Sequence, residues 1–257
     1  PQIMEFKDLD LHAGNSRIGD YYAMHFQHFN ADMADFIDQI KISANFKNST
    51  VSSNDIAYFA PALQDWKKEF SLSGKFRGTI SDFKIEDFFA RTDQNTYASG
   101  TFTMKGLPDI DITKMQFENA NVQTNIRGIS FLYNGLGQIK SPDLASLGNV
   151  RFQGNYSGTI HEFLINGNFS TALGGLFTKL KLSFPKYGEP AYSGTVQTKQ
   201  FNLGRFIHSD SLGLISFEGK VDGKSFALNK VKTTLNGVFP TLQFNGYTYQ
   251  NLRLNGT

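Results

Sequence analysis

Cysteine is absent from the chain. That removes disulfides, thiol nucleophiles and thiolate-bound zinc together, and it is compatible with a periplasm or a cytosol. Long apolar runs are absent as well. None approaches the roughly 18 consecutive residues that a membrane-spanning helix needs, and nothing at the start reads as a basic segment followed by an apolar one. Because the chain opens at Pro1, we expect an internal fragment or a processed product, with any anchor or signal outside it. Net charge is almost absent too. The 25 Lys+Arg against 23 Asp+Glu leave +2, which offers no strong field for nucleic acid or an anionic membrane.

Histidine is sparse, at positions 12, 25, 28, 161 and 208. His25 and His28 are three apart in a stretch that alternates as strand, so they point to opposite faces. Zinc or copper sites need three or four converging ligands, and no metal is expected. The pairs Asp8/Asp10 and Asp109/Asp111 have same-face spacing suited to a hard cation or to acid–base work. Asp109 and Asp111 follow Leu107 and Pro108 in what reads as a turn entering a strand, where a solvated role is expected. No nucleophile elbow, phosphate-binding loop or dinucleotide fingerprint is present, and we expect no enzymatic activity and no cofactor.

What the chain does have is phenylalanine. Aromatics make up 14 % of residues, with 25 Phe, against 19 % charged. Phe suits strands and brings a large apolar area with no polar handle, so something apolar must cover it. Period-two alternation dominates: Phe70, Leu72, Gly74, Phe76, Gly78 and Ile80 share one face, with Ser71, Ser73, Lys75, Arg77 and Thr79 on the other. Turn-formers separate such runs, as in Gly106-Leu107-Pro108-Asp109 and Lys186-Tyr187-Gly188-Glu189-Pro190, which favours hairpins and meanders. Helical signals are short. Ser53 or Asn54 caps a turn through Asp55, Ile56, Tyr58 and Phe59 that Pro61 interrupts, and residues 31–39 and 202–208 each suit a turn or two. None is long enough to cross between parallel strands.

The chain also repeats itself. FSLSGKFRGTISDFKI at 70–85 aligns without a gap with VRFQGNYSGTIHEFLI at 150–165, and SFEGKVDGKSFAL at 216–228 is a looser third copy, in which Phe226 and Leu228 follow a shortened turn. Repeats of one supersecondary unit imply an array, here with irregular spacing. We therefore expect residues 1–257 to form one continuous section of a longer protein. Glycine on the same face as Phe and Leu points to bends, bulges or close approach of another body, whether in a curled sheet, a barrel corner or a tight sandwich. The candidate lining residues follow from parity: Phe70, Leu72, Phe76 and Ile80; Phe102 and Met104; Val150, Phe152, Tyr156 and Ile160; Phe163, Ile165 and Phe169; Phe217 and Val221. Each is also readable as plain core.

NSRIGDYYAMHFQHFNADMADFI at 15–37, SSNDIAYFAPAL at 52–63, MKGLPDI at 104–110 and the stretch from FNLGRFI at 201 to the end, together with the Gly-Thr-Ile hairpins, give the sequence its family likeness. On these it resembles the TamB branch of the AsmA-like family as found in Bacteroidetes. The resemblance implies an all-β fold, an elongated antiparallel sheet curled into an open, β-taco-like apolar groove. It further implies a periplasmic location, an inner-membrane helix outside this stretch, and an Omp85-type, TamA-like outer-membrane partner reached through a missing C-terminal part. The implied function is carriage of phospholipid acyl chains between inner and outer membranes, in support of outer-membrane biogenesis by the translocation and assembly module. Two other readings stand beside it: a periplasmic scaffold or chaperone that pairs its sheet edge with nascent outer-membrane proteins, and a fragment of an outer-membrane barrel.

Overall fold

A computed structural model describes residues 2–57, 64, 66–130, 142–226 and 230–256. The expected turn through Tyr58 and Phe59, its break at Pro61, and Leu228 of the third repeat lie outside those residues. Period-two alternation yields what it predicts, an all-β chain. The strands are β1 (Ile3–Ala13), β2 (Ser16–His25), β3 (Lys41–Ser52), β4 (Glu69–Gly78), β5 (Asp82–Asp93), β6 (Thr96–Lys105) and β7 (Lys114–Thr124). They continue as β8 (Val150–Gly158), β9 (Glu162–Thr171), β10 (Gly174–Ser183), β11 (Ala191–Asn202), β12 (Leu212–Lys224), β13 (Lys232–Phe244) and β14 (Tyr247–Gly256). All fourteen lie in one sheet in the order of the sequence, and β1 and β14 do not pair with each other, so the sheet stays open. Contacts divide the chain into two compact units, residues 1–120 and 121–257.

The helices are α1 (Phe29–Ala34), α2 (Phe36–Gln39), α3 (Ser53–Ile56), α4 (Ile126–Ile129) and α5 (Leu203–Ile207), with a 3₁₀ turn at Leu144–Leu147. The N-cap of α3 is Ser52, not the expected Ser53 or Asn54, and α1, α2 and α3 have no side-chain capping bond. The Asn125 side chain accepts the N–H of Gly128 and that of Asn202 accepts the N–H of Arg205, so each fills an orphan donor of its first turn. Helices α3, α4 and α5 follow β3, β7 and β11, every fourth strand. The strands after those inserts, β4, β8 and β12, carry the three sequence repeats. The repeating unit is thus four strands and an insert, and unequal inserts make its spacing irregular.

The strands themselves are bent at fixed places. In unit 1, Asp8, Asn48, Asp87 and Asn119 adopt left-handed φ of 50–51°, and at the first three the register shows two residues opposing one. Gln200 does the same in unit 2, with φ 51° and a register shift between Thr198 and Phe201. These are β-bulges on odd-numbered strands, built on short polar residues that tolerate that conformation, and each bends its strand and increases the local twist. On β4 glycine answers the bulge of β5: Gly74 (φ 148°) lies opposite it and pairs with Phe46 beside the bulge of β3.

Each unit has one small core, made where an insert covers part of the apolar side. In unit 1, Phe26, Ile40, Ile42, Ala44, Phe76 and Ile85 are buried together, and Phe29 and Phe36 of α1 and α2 pack on them. In unit 2, Leu173, Phe201, Ile215, Phe217 and Phe239 are buried, with Leu147, Leu203 and Phe206 from the inserts against them. Asp143 N–H donates to the Phe206 carbonyl at 2.7 Å, which ties the two inserts together.

Candidate functional site

Cross-strand register decides which side chains share a face. In unit 1, Phe70 lies opposite Val51, Leu72 opposite Ser49 and Ala90, and Phe76 opposite Ala44 and Ile85. Ile85 lies opposite Phe102, and Phe83 opposite Met104. The predicted residues Phe70, Leu72, Phe76, Phe102 and Met104 therefore stand on one side. Rings run across it: Phe76 stacks on Phe83 at 4.8 Å, and Phe102 meets Phe88 and Phe117 at 5.7 Å each. Such pairs contribute about 0.5–1.5 kcal/mol each beyond burial.

Unit 2 repeats the arrangement in two parallel rows. Phe152, Phe169, Leu176, Thr198 and Phe217 lie opposite one another in turn across β8 to β12. Tyr156, Ile165, Leu180, Gly194 and Val221 form the next row but one. Phe163 belongs to the same face opposite Leu182, and Val150 joins it by alternation with Phe152. Between the rows runs a line of small residues, including Gly154, Gly167, Gly219 and Gly237. A Cβ at Gly167 would sit 2.9 Å from the Phe152 ring, and one at Gly219 2.7 Å from the Phe217 ring. The glycines let the rings lie flat on the backbone, which smooths the apolar side instead of leaving a trench.

Among the described residues, the closest backbone contacts of each strand are with its neighbours in the sheet and with the short inserts. Phe76 and Phe217 are buried in the two small cores, while Phe70, Leu72, Phe102, Met104, Val150, Phe152, Tyr156, Phe163, Ile165, Phe169 and Val221 are half-buried, screened sideways by each other. Ile80 and Ile160 depart from the parity reading. Both sit in the turns after β4 and β8, not on a strand; Ile80 packs on the unit 1 core, whereas Ile160 is exposed. Sequence reasoning also missed Phe83, Phe88, Phe117 and Tyr192 on this side. The bulges shift parity by one before Phe88, which hides the pattern.

The opposite side is polar. In unit 1 it carries exposed ion pairs, Lys75–Asp87 at 2.7 Å and Lys84–Glu86 and Lys105–Asp82 at 2.9 Å, each worth little in stability. In unit 2 a hollow of about 870 Å³ opens beside the bulge at Gln200, lined by Phe177, Gln197, Lys199 and Glu218 and also by Phe169, Leu176 and Phe217 of the apolar row.

Tyr156 reports how dry that apolar side is. Burial pushes its phenol up to about 12, and its hydroxyl donates to the Thr159 carbonyl at 2.8 Å. Unfolding returns the group to about 10, so the stability it confers is complete below pH 10 and falls as pH rises from 10 towards 12. Thermal melts should show that loss, and Tyr156→Phe should remove its share; a wild-type profile flat over that window would show Tyr156 to be solvated.

Comparison with known protein families, with curated proteins and with solved structures finds no match.

Proposed function

We propose that this chain is a section of a TamB-type, AsmA-like bridge, anchored in the inner membrane by a segment outside this stretch, that carries phospholipids across the periplasm. Acyl chains lie against the apolar side of the sheet while head groups stay in water. Moving a free phospholipid through water exposes roughly 30 methylenes at about 0.8 kcal/mol each, a cost on the order of 20 kcal/mol that an apolar side open to solvent removes. The single observation behind the reading is that, among the described residues, rows of aromatic and aliphatic side chains outside the two small cores stay only half-buried. The protein has no catalytic role in this scheme, and an Omp85-type, TamA-like protein receives the lipid.

Native mass spectrometry of the purified chain tests it. Wild type should carry phospholipid; Phe163→Asp, which sets a charge among Tyr156 at 5.0 Å and Phe184 at 5.8 Å, should lose at least tenfold of it while the circular dichroism stays that of a sheet. Phospholipid retained in full by the variant would sink the reading.

The scaffold reading, in which a strand pairs with nascent outer-membrane protein, makes a different prediction. A photocrosslinker at Phe163 separates the two: lipid adducts support carriage, and adducts with unfolded outer-membrane protein support the scaffold.

A further inference from the structure

The near-neutral total conceals two units of opposite charge. Residues 1–120 hold 12 basic and 17 acidic side chains, net −5, and residues 121–257 hold 13 basic and 6 acidic, net +7. Within unit 2, three turns meet at one end of the strands: those after β8, β10 and β12. Phe184 N–H donates to the His161 carbonyl at 2.7 Å, and Ser225 N–H to the Pro190 carbonyl at 2.8 Å, so the turns form one edge. Its large apolar side chains point into solvent: Ile160 is 38 % exposed, Phe184 38 %, Tyr187 87 %, Phe226 42 % and Val231 38 %. Lys181, Lys224 and Lys232 stand at that end of their strands on the polar side and Lys186 and Lys230 in the turns, against Glu162, Glu189 and Asp222; among the described residues, of these only Lys181 and Glu162 form an ion pair.

Unit 1 shows what such an edge looks like when protein covers it. Its turn after β4 is built the same way: Thr79 and Thr159 Oγ1 accept the N–H groups of Asp82 and Glu162, and Gly106 N–H reaches the Ser81 carbonyl as Phe184 N–H reaches that of His161. There α1 and α2 lie over the turn, the Ile37 carbonyl accepting the Ser81 N–H, and Ile80 packs into the core. Unit 2 places no described segment over the equivalent Ile160. Along the edge a ladder of rings runs across the strand ends, from Tyr192 through Phe226 and Phe184 to Phe163 and Tyr156, at spacings of 5.1, 6.0, 5.8 and 5.0 Å.

We propose that this edge of unit 2 docks on an anionic lipid bilayer, with Ile160, Phe184, Tyr187, Phe226 and Val231 in the interface and the lysines on phosphate groups. Aromatic and aliphatic tips flanked by lysine are what a membrane interface accepts, since the rings sit at headgroup depth and the ammonium groups extend to the phosphates. A bilayer also matches the sign of the charge, which a second copy of the same basic edge does not. The proposal rests on the acyl-carriage reading and adds where chains enter: at the docked edge, past the ring ladder.

Flotation of the whole chain with vesicles tests it. Wild type should float with phosphatidylcholine–phosphatidylglycerol vesicles, much less with phosphatidylcholine alone, and less in high salt. At roughly a fivefold change per lysine, the triple change Lys224→Glu, Lys230→Glu, Lys232→Glu should weaken binding on the order of a hundredfold. Tyr187→Ser with Phe226→Ser should weaken it at least tenfold, with melting curves confirming that both variants fold. Undiminished flotation of the charge variant, or self-association that this variant abolishes, would overturn the proposal. Bound phospholipid, read separately by native mass spectrometry, keeps the two ideas apart. Wild type that carries lipid and fails to float sinks the docking edge alone; wild type that floats and carries none sinks the acyl-carriage reading and leaves the edge standing.

Discussion

Phe76→Ala should lower the stability of the chain by about 3–5 kcal/mol, a fall in melting midpoint of roughly 6–20 °C. Phe76 is 8 % exposed, and its ring stacks on Phe83 and meets Phe46 edge-on at 6.4 Å beneath the insert that carries Phe29 and Phe36. Removing the ring leaves a cavity that a sheet on one side and a helical insert on the other cannot close. Phe102, on the same side of the sheet but outside that cover, should cost about 1–2 kcal/mol when cut to alanine, because less of it leaves water. Urea melts followed by circular dichroism compare the two. Equal losses would mean that the insert gives Phe76 no protection, and would remove the distinction between covered and open parts of the apolar side. The comparison also separates stability from the proposed lipid carriage, which Phe102 and Phe163 would test.

The second large effect is expected at the hairpin glycines. Gly78 has φ 130° and Gly158 φ 142°, and a Cβ there would lie 2.2 Å from the Asp82 carbonyl oxygen and 2.3 Å from that of Glu162. Valine at either position meets both a backbone conformation closed to β-branched residues and a fixed backbone atom. We expect a loss of about 2–6 kcal/mol, from roughly 1–3 for the forced dihedral and 1–3 for the overlap. Gly246→Ala is the contrast: φ is 78° with nothing within 4 Å, so the dihedral cost acts alone. Gly78→Val and Gly158→Val melting with Gly246→Ala would show that the turns relax around the new side chain.

Those same glycines explain how much of the fold was legible in the sequence. Gly-Thr-Ile recurs because the turn needs a residue that tolerates positive φ and then a hydroxyl to accept the next strand's first N–H, so its chemistry is written in residue types. The hairpin meander was legible for similar reasons, through alternation and turn-formers, and so were the helical turns near 31–39 and 202–208, whereas Ile126–Ile129, capped by Asn125, was not. The bulges were not. Each replaces alternation with a step of three, as from Phe6 to Leu9 or from Phe46 to Ser49, a spacing that looks irregular until register reveals it. The cover over Phe76 and Ile80 was also hidden, since Phe29 and Phe36 lie some forty residues away and nothing local announces the contact. For the candidate side as a whole, parity placed most of the lining correctly on one face, and it failed at Ile160 because a turn has no parity.

Strands that pair only with their predecessors and successors have a kinetic consequence. Each strand finds its partner next in sequence, so the entropy of closing large loops is confined mainly to the stretches between β2 and β3, β3 and β4, β7 and β8, and β11 and β12, and the α1–α2 insert must wait for later strands. Assembly can then follow synthesis or export from the first hairpin onward, each new strand finding a finished template, with pauses where an insert must dock before the next four strands are laid down.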